Sequence, residues 1–202
     1  GAFRTALAQR SGRGVHTVTM DGAGEAQESP PLDEDSARIL ELLSVADIAL
    51  PVDMLRAVFP GAERELYRRV HALAGAGLIA IETRRLPFRG NPAMVLRVPS
   101  RSLGEAICAG IPETRRQNLH RTIARMGDER APFAPMFVYH HYVAAGDGTA
   151  AALAAVSFLR ESTREQRAPF LDALVRDLID GGVHKGLAYG ERLLLLTRLG
   201  DD

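Results

Sequence analysis

The order of apolar patterns between residues 33 and 99 limits most strongly what this chain can fold into. A first helix is predicted from the acidic cap at Asp33 to about Ala46, because apolar residues follow at helical spacing. A second is predicted from Pro51, since proline favours the first helical turn, and it ends before the Pro60–Gly61 pair. A third helix is predicted with three apolar residues on one face: Leu66, Val70 and Leu73.

Two strand-like segments follow the third predicted helix. Residues Leu78–Glu82 and Met94–Val98 flank a polar loop rich in Arg, Gly and Pro, as in a β-hairpin. Three helices and a hairpin in this order are typical of a winged helix-turn-helix. We therefore predict a winged-helix domain over residues 33–99.

The rest of the chain divides around that domain. Residues 1–32 are predicted as an N-terminal segment and linker, with weak helix over Gly1–Arg10 and a short strand over Val15–Met20. Residues 100–202 are predicted as a helical domain with helices at 101–109, 113–126, 135–145, 149–160, 164–179 and 189–199. Short connections favour antiparallel helix pairs, which stack into an α-solenoid. The predicted fold class is mostly α.

Four segments of the chain resemble one family of regulators. They are "ARILELLSVADIALPVDMLRAVF", "LYRRVHALAGAGLI", "RRQNLHRTIARM" and "HHYVAAGDGTAAALAAVSFL". They look like the middle of signal-transduction ATPases with numerous domains, the STAND regulators, especially bacterial ones with LuxR-type DNA-binding or cyclase domains. In that family a nucleotide-binding module precedes a winged helix and tetratricopeptide-like repeats. The resemblance covers roughly residues 37–159 and implies a tetratricopeptide-like array after the winged helix.

The chain lacks the features that would give it nucleotide chemistry of its own. Many relatives carry a Phe-Arg-His run near the second wing strand, whereas "VLRVPSRSLGEAI" keeps Arg97 without the histidine. A phosphate-binding loop needs the spacing G-x-x-x-x-G-K-[ST], which does not occur. The only lysine, Lys185, lies in "GGVHKGL". We expect no ATP hydrolysis and no cofactor.

Composition excludes several other classes of protein. The 25 basic and 25 acidic residues balance, so no chain-wide field attracts nucleic acid or membrane. The single cysteine, Cys108, excludes an internal disulfide framework and a cysteine-rich zinc site. No apolar run reaches membrane-spanning length. We expect a cytoplasmic protein without enzymatic activity, since no nucleophile elbow surrounds a serine.

Three histidines are candidates either for metal ligands or for structural residues: His120, His140 and His141. His140 and His141 are adjacent, so on a helix their side chains point about 100° apart, whereas metal-binding pairs usually sit four residues apart. His120 follows Leu119 and precedes Ile123, which predicts a position beside the packing face of its helix. A structural role is predicted for these histidines, and no metal site.

Arginines concentrate in the predicted winged helix. Between Ala62 and Arg101 eight arginines stand against three glutamates. The residues predicted to contact a partner or DNA are Arg64, Arg68, Arg69, Arg84, Arg85 and Arg89. The third helix has none of the Asn, Gln, Ser or Thr residues that usually join arginine in reading bases. This absence favours contact with a protein partner or a neighbouring domain of the same chain over DNA.

The sequence patterns and the resemblance to STAND regulators leave three functions open. The favoured one is a non-catalytic regulatory fragment of a STAND-type ATPase or transcriptional regulator, which relays partner or ligand binding to an output domain. The alternative is a stand-alone winged-helix transcriptional regulator that binds DNA. A small helical adaptor with no ATPase relative is the third.

Overall fold

Two units make up the chain in a computed structural model, Gly1–Pro112 and Glu113–Asp202. The structure describes residues 6–7, 17–18, 32–59, 61–85, 92–130, 135–167, 170, 174 and 176. Most of these residues are helical, and a small three-stranded sheet lies in the first unit. The mostly helical class predicted from the sequence is therefore confirmed.

Three helices come first in the described part of the first unit: α1 (Glu34–Ala46), α2 (Val52–Val58) and α3 (Glu63–Gly75). The side chain of Asp33 caps α1 by accepting a 2.7 Å hydrogen bond from the Ser36 amide. At the other end of α1, Asp47 adopts a left-handed conformation with φ of 54°, which ends the helix. The predicted start and end of this helix are confirmed.

The core of this unit forms where the apolar faces of the helices meet the sheet. Ile39, Leu42, Leu55 and Val70 are all fully or almost fully buried. The three residues predicted to share a face of α3, Leu66, Val70 and Leu73, are buried as well. The helical spacing read from the sequence thus identifies the inward faces correctly.

The sheet has three antiparallel strands: β3 (Leu50–Pro51), β4 (Ala80–Arg85) and β5 (Pro92–Arg97). Their order is β3-β5-β4, so β5 is central, and Leu96 pairs with both Leu50 and Ile81. The β4–β5 hairpin was predicted, but β3 was not. Pro51 was assigned to the first turn of the second helix; it lies instead at the N-cap of α2 and pairs with Val95.

The first unit also contains α4 (Arg101–Ala109), which packs against α1. The Ser100 hydroxyl caps it by accepting a 3.3 Å hydrogen bond from the Leu103 amide. Cys108 is half-buried on this helix. The sequence predicted this segment as the start of the helical domain of residues 100–202. The helix that it packs against, α1, lies in the predicted winged-helix domain.

The second unit contains α5 (Glu113–Arg130), α6 (Pro135–Ala144), α7 (Gly148–Glu161) and the short α8 (Arg164–Arg167). Helix α6 packs against both α5 and α7. Gly146, with φ of 71°, turns the chain between α6 and α7, and Asp147 caps α7 by accepting a 3.2 Å bond from the Ala150 amide. The buried residues of this core include Tyr139, Ala151, Ala152, Ala155 and Leu159.

The N-terminal prediction was partly wrong. β1 (Ala6–Leu7) pairs antiparallel with β2 (Thr17–Val18), so Ala6 and Leu7 are extended where a weak helix was predicted. A short isolated helix is marginal in water, and strand pairing satisfies the same backbone groups. The segment predicted at 189–199 lies outside the described residues, as does most of the segment predicted at 164–179 after residue 167. Across the described ranges, no helix has the length and apolar character needed to cross a membrane.

Candidate functional site

Arg69 lies at the centre of an ion-pair network that joins α3 to the start of α1. Its guanidinium lies 3.3 Å from a carboxylate oxygen of Asp33, 3.1 Å from one of Asp35 and 2.9 Å from one of Glu65. Partial burial alone raises the pKa of Asp33, but its hydrogen bond with Ser36 and the charge of Arg69 lower it overall. Arg69 is only 19% exposed, so it serves the fold and is poorly placed for a partner.

Arg68 lies one position away but points to solvent. Its side chain is 62% exposed and donates two hydrogen bonds to Glu65, of 2.8 Å from Nε and 2.6 Å from a terminal nitrogen. The hydrogen bond from Arg68 is the main cause of the lowered pKa of Glu65. Arg68 can reach a partner, but its charge is already compensated within α3.

The hairpin arginines are paired in a similar way around Glu82. Arg84 and Arg97 each approach this carboxylate to 2.5 Å. Arg97 also donates a 3.2 Å hydrogen bond to the Pro99 carbonyl, which ties the end of β5 to the following turn. The hydrogen bond from Arg97, followed by that from Arg84, lowers the pKa of Glu82. One glutamate therefore compensates part of the charge of two arginines.

Two of the six predicted contact residues remain without an ion-pair partner in the part of the chain that the structure describes. These are Arg64, on the exposed face of α3, and Arg85, at the end of β4. Arg68, Arg69 and Arg84 are paired as described above, and Arg89 lies outside the described residues. The positive surface available to a partner is therefore much smaller than the arginine count predicts.

The sequence contained part of the signal for this compensation. Glu65 stands three residues before Arg68 and four before Arg69, spacings that place side chains side by side on a helix. The pairing of Arg69 with Asp33 joins residues far apart in the chain and could not be read from local spacing.

A pair of histidines forms the second candidate site, in the other unit. His120 of α5 and His141 of α6 face each other with their Nδ1 atoms 2.8 Å apart and their ring centres 5.0 Å apart. His141 is 7% exposed and packs edge-on against Phe137, with ring centres 4.4 Å apart. His140 points outward and is exposed. The two adjacent histidines thus occupy different environments, as the 100° rotation per helical residue requires.

Burial makes both imidazoles of this pair hard to protonate. It lowers the pKa of His141 to about 3, with smaller contributions from His120 and His140. Burial also lowers the pKa of His120; Arg116 acts in the same direction and Glu113 opposes both. The neutral pair is stable because one ring donates through Nδ1 and the other accepts. No local spacing links His120 to His141, so the sequence carries no signal for their contact.

The described residues offer the histidine pair no third ligand for a metal ion. Among the described residues, no group of three or more His, Cys, Asp or Glu side chains is placed to hold a metal ion. The positive charge of Arg116 also acts on His120 and opposes a bound cation. A hydrogen-bonded structural pair is the arrangement that fits these side chains.

A groove of about 200 Å³ lies in the first unit where α1, β5 and α4 meet. Its polar lining includes Arg97, Ser100 and Arg101. Each already has a partner: Arg97 binds Glu82, Ser100 caps α4, and Arg101 donates a 2.8 Å hydrogen bond to Glu105. The two arginines and Ser100 in the groove wall are therefore already bonded within the fold.

Comparisons with protein-family models, with curated proteins and with solved structures found no match for this chain. The resemblance to STAND regulators, which rests on the four segments quoted above, stays a prediction.

Proposed function

We propose that this chain is a non-catalytic regulatory fragment of a STAND-type signal-transduction ATPase or transcriptional regulator. In this proposal residues 33–99 form a winged helix against which α4 packs, and the helical domain that follows, from α5 onward, forms a tetratricopeptide-like array. The element order α1-β3-α2-α3-β4-β5, with β5 central in the sheet, supports the first assignment. The consecutive packing of α5, α6 and α7 supports the second.

The proposed mechanism is a relay of binding. The helical array receives a partner or ligand, and the winged helix passes the change to an ATPase or output domain of the same or another chain. Such a relay requires two states with different affinities for the partner. The exposed face of α3, with Arg64, Arg68 and His71, is the surface we assign to the protein contact.

The pairing of arginines with carboxylates of the same chain favours a protein partner over DNA. DNA binding depends on arginine and lysine charges that are free to replace the counterions of phosphate. Here Arg68, Arg69 and Arg84 face carboxylates of the chain itself. A protein surface with both acidic and polar groups can accommodate such a mixed face better than a uniformly negative duplex can.

A winged-helix regulator that binds DNA is the second candidate. It is favoured by the exposure of Arg64 on α3 and of Arg85 at the end of β4, neither of which has an ion-pair partner among the described residues. In DNA-binding proteins of this architecture the third helix enters the major groove and the hairpin contacts the backbone. These two arginines occupy the corresponding elements.

Competition binding against a pool of random DNA duplexes at two salt concentrations distinguishes the two functions. The protein-contact function predicts weak, sequence-independent binding that is lost as salt rises, because only counterion release contributes. An enriched sequence that survives near-physiological salt would establish the DNA-binding function instead. In that case Arg64→Ala would reduce the preference by about 1–3 kcal/mol. Arg160→Ala, an exposed arginine of α7, is the matched control.

The coding sequence upstream of this segment in the native gene tests the ATPase assignment directly. A G-x-x-x-x-G-K-[ST] motif between a strand and a helix in the same reading frame would support the STAND proposal. An upstream region without any nucleotide-binding module would contradict it and leave the transcriptional regulator or the helical adaptor.

A further inference from the structure

The hydrogen bond between His120 and His141 directly joins two titratable side chains, one on α5 and one on α6. Its 2.8 Å length allows one proton between the two Nδ1 atoms. Another connection between these helices does not involve two titratable groups: Arg121 donates a 3.1 Å bond to the Ala145 carbonyl, just after the end of α6. The bonding of the histidine pair, by contrast, depends on protonation.

The surroundings of the pair offer little to stabilise a second positive charge. Arg116 of α5 and His140 of α6 oppose protonation, and Glu113 of α5 is the one group favouring it at His120. Helix α7, which packs on α6, contributes apolar residues such as Ala151 and Ala155 to the shared core. A doubly charged pair would thus lie between a cation and an apolar core.

We propose that the His120–His141 pair is a proton-sensitive latch between α5 and α6, closed near neutral pH and opened when both imidazoles become protonated. This inference concerns the second unit alone and does not depend on the proposed function. The geometry carries it: two Nδ1 atoms at 2.8 Å share one proton, but they cannot both carry one without facing each other as donors.

The direction of the pH effect follows from counting protons. The closed pair takes up at most one proton beyond those of its two neutral rings, at an outer Nε2, because a second would put an N–H group on both facing Nδ1 atoms. Two separated histidines in water instead each take up a proton near their ordinary pKa of 6.5. The open state therefore binds more protons below about pH 6.5, and acid favours opening. The opening constant rises by up to about tenfold per pH unit for each additional proton.

Nuclear magnetic resonance of the imidazole nitrogens in the 202-residue chain tests the closed state. At pH 7.5 we expect one Nδ1–H tautomer and one Nε2–H tautomer, assigned through spectra of His120→Gln and His141→Gln. As the pH falls toward 5 the two rings should change together, because they lose a shared bond. Independent titration of both rings near pH 6.5, with the packing unchanged, would overturn the latch.

Thermal unfolding between pH 7.5 and pH 5 tests the link to stability. The melting temperature of the native chain and of the control His140→Gln should fall by the same amount. The fall should be smaller in His120→Gln, which removes one of the linked protons. His120 is only half-buried, so this variant keeps the test available if His141→Gln does not fold. An undiminished fall in His120→Gln would show that the pair is not the sensor.

Discussion

Arg69 differs from the other arginines of α3 in what its loss should do. The Arg69→Ala change removes contacts with three carboxylates, those of Asp33, Asp35 and Glu65, and leaves the start of α1 with uncompensated negative charge. We expect a loss of about 1 kcal/mol in the free energy of unfolding, because the network is partly exposed and therefore screened. Urea denaturation at low salt measures it.

Arg64→Ala is the matched control for that measurement. Arg64 lies on the exposed face of the same helix and has no ion-pair partner among the described residues, so its loss should change stability by less than about 0.5 kcal/mol. Equal effects of the two substitutions would mean that the network around Arg69 contributes nothing to stability. The difference between them should also shrink as salt is raised.

The two adjacent histidines should respond very differently to truncation. His141→Ala leaves a void in a buried site and removes the partner of His120, so we expect a loss of about 1–3 kcal/mol. His140→Ala removes an exposed ring and should cost less than about 0.5 kcal/mol. Chemical denaturation at pH 7.5 gives both values. Stoichiometric zinc or nickel that is lost in either variant would contradict a structural role.

The partners of single side chains on other helices could not be predicted from the sequence. The helical rotation between His140 and His141 predicts that only one of them is buried, but the partner of His141 comes from another helix and has no sequence signal. The same holds for Arg69. Its ion pair with Glu65 could be predicted from their spacing on α3, but its contacts with Asp33 and Asp35 could not. Charges counted along a chain measure composition, whereas the available surface charge depends on pairing across the fold.

At the level of elements, the alanines of α7 set its distance from α6. Ala151, Ala152 and Ala155 are completely buried. In Ala155→Leu the larger side chain has no space and must displace α6 or adopt a strained rotamer, so we expect a loss of about 1–3 kcal/mol. Thermal and urea denaturation measure this loss.

A control on the opposite side of α7 isolates packing from helix propensity. Ser157→Leu adds a similar side chain at an exposed position of the same helix and should change stability by less than about 0.5 kcal/mol. If Ala155→Leu were as mild as this control, α6 and α7 would not be closely packed through their alanines.

The elements were predicted unevenly, for physical reasons. Long segments with sustained periodicity, such as α1 and α3, have a strong signal because each turn repeats the apolar face. The two residues of β3 have none, since a strand that short shows no alternation and its position depends on pairing with the distant β5. Helix α4 packs against α1, which lies far from it in the sequence, so no local pattern predicts this contact.

At the level of the whole molecule, we expect neither ATP hydrolysis nor appreciable nucleotide affinity. The chain has no phosphate-binding loop, and its single lysine lies outside any such motif. Isothermal calorimetry with Mg²⁺-ATP should give no binding heat above that of dilution, and phosphate release should equal that of buffer. Stoichiometric binding with turnover above buffer would contradict the proposal of a non-catalytic fragment.

The central place of β5 in its sheet affects how the first unit forms during synthesis. A nascent chain leaves the ribosome with its N-terminus first, at about 5–20 residues per second. The apolar faces of α1, α2 and α3 therefore emerge before Leu96, which pairs with both Leu50 and Ile81. For some seconds these helices lack the strand that covers their core. Chaperone binding to nascent chains should accordingly be strongest when the emerged part of a stalled chain ends just before β5, and it should decline once β5 has emerged.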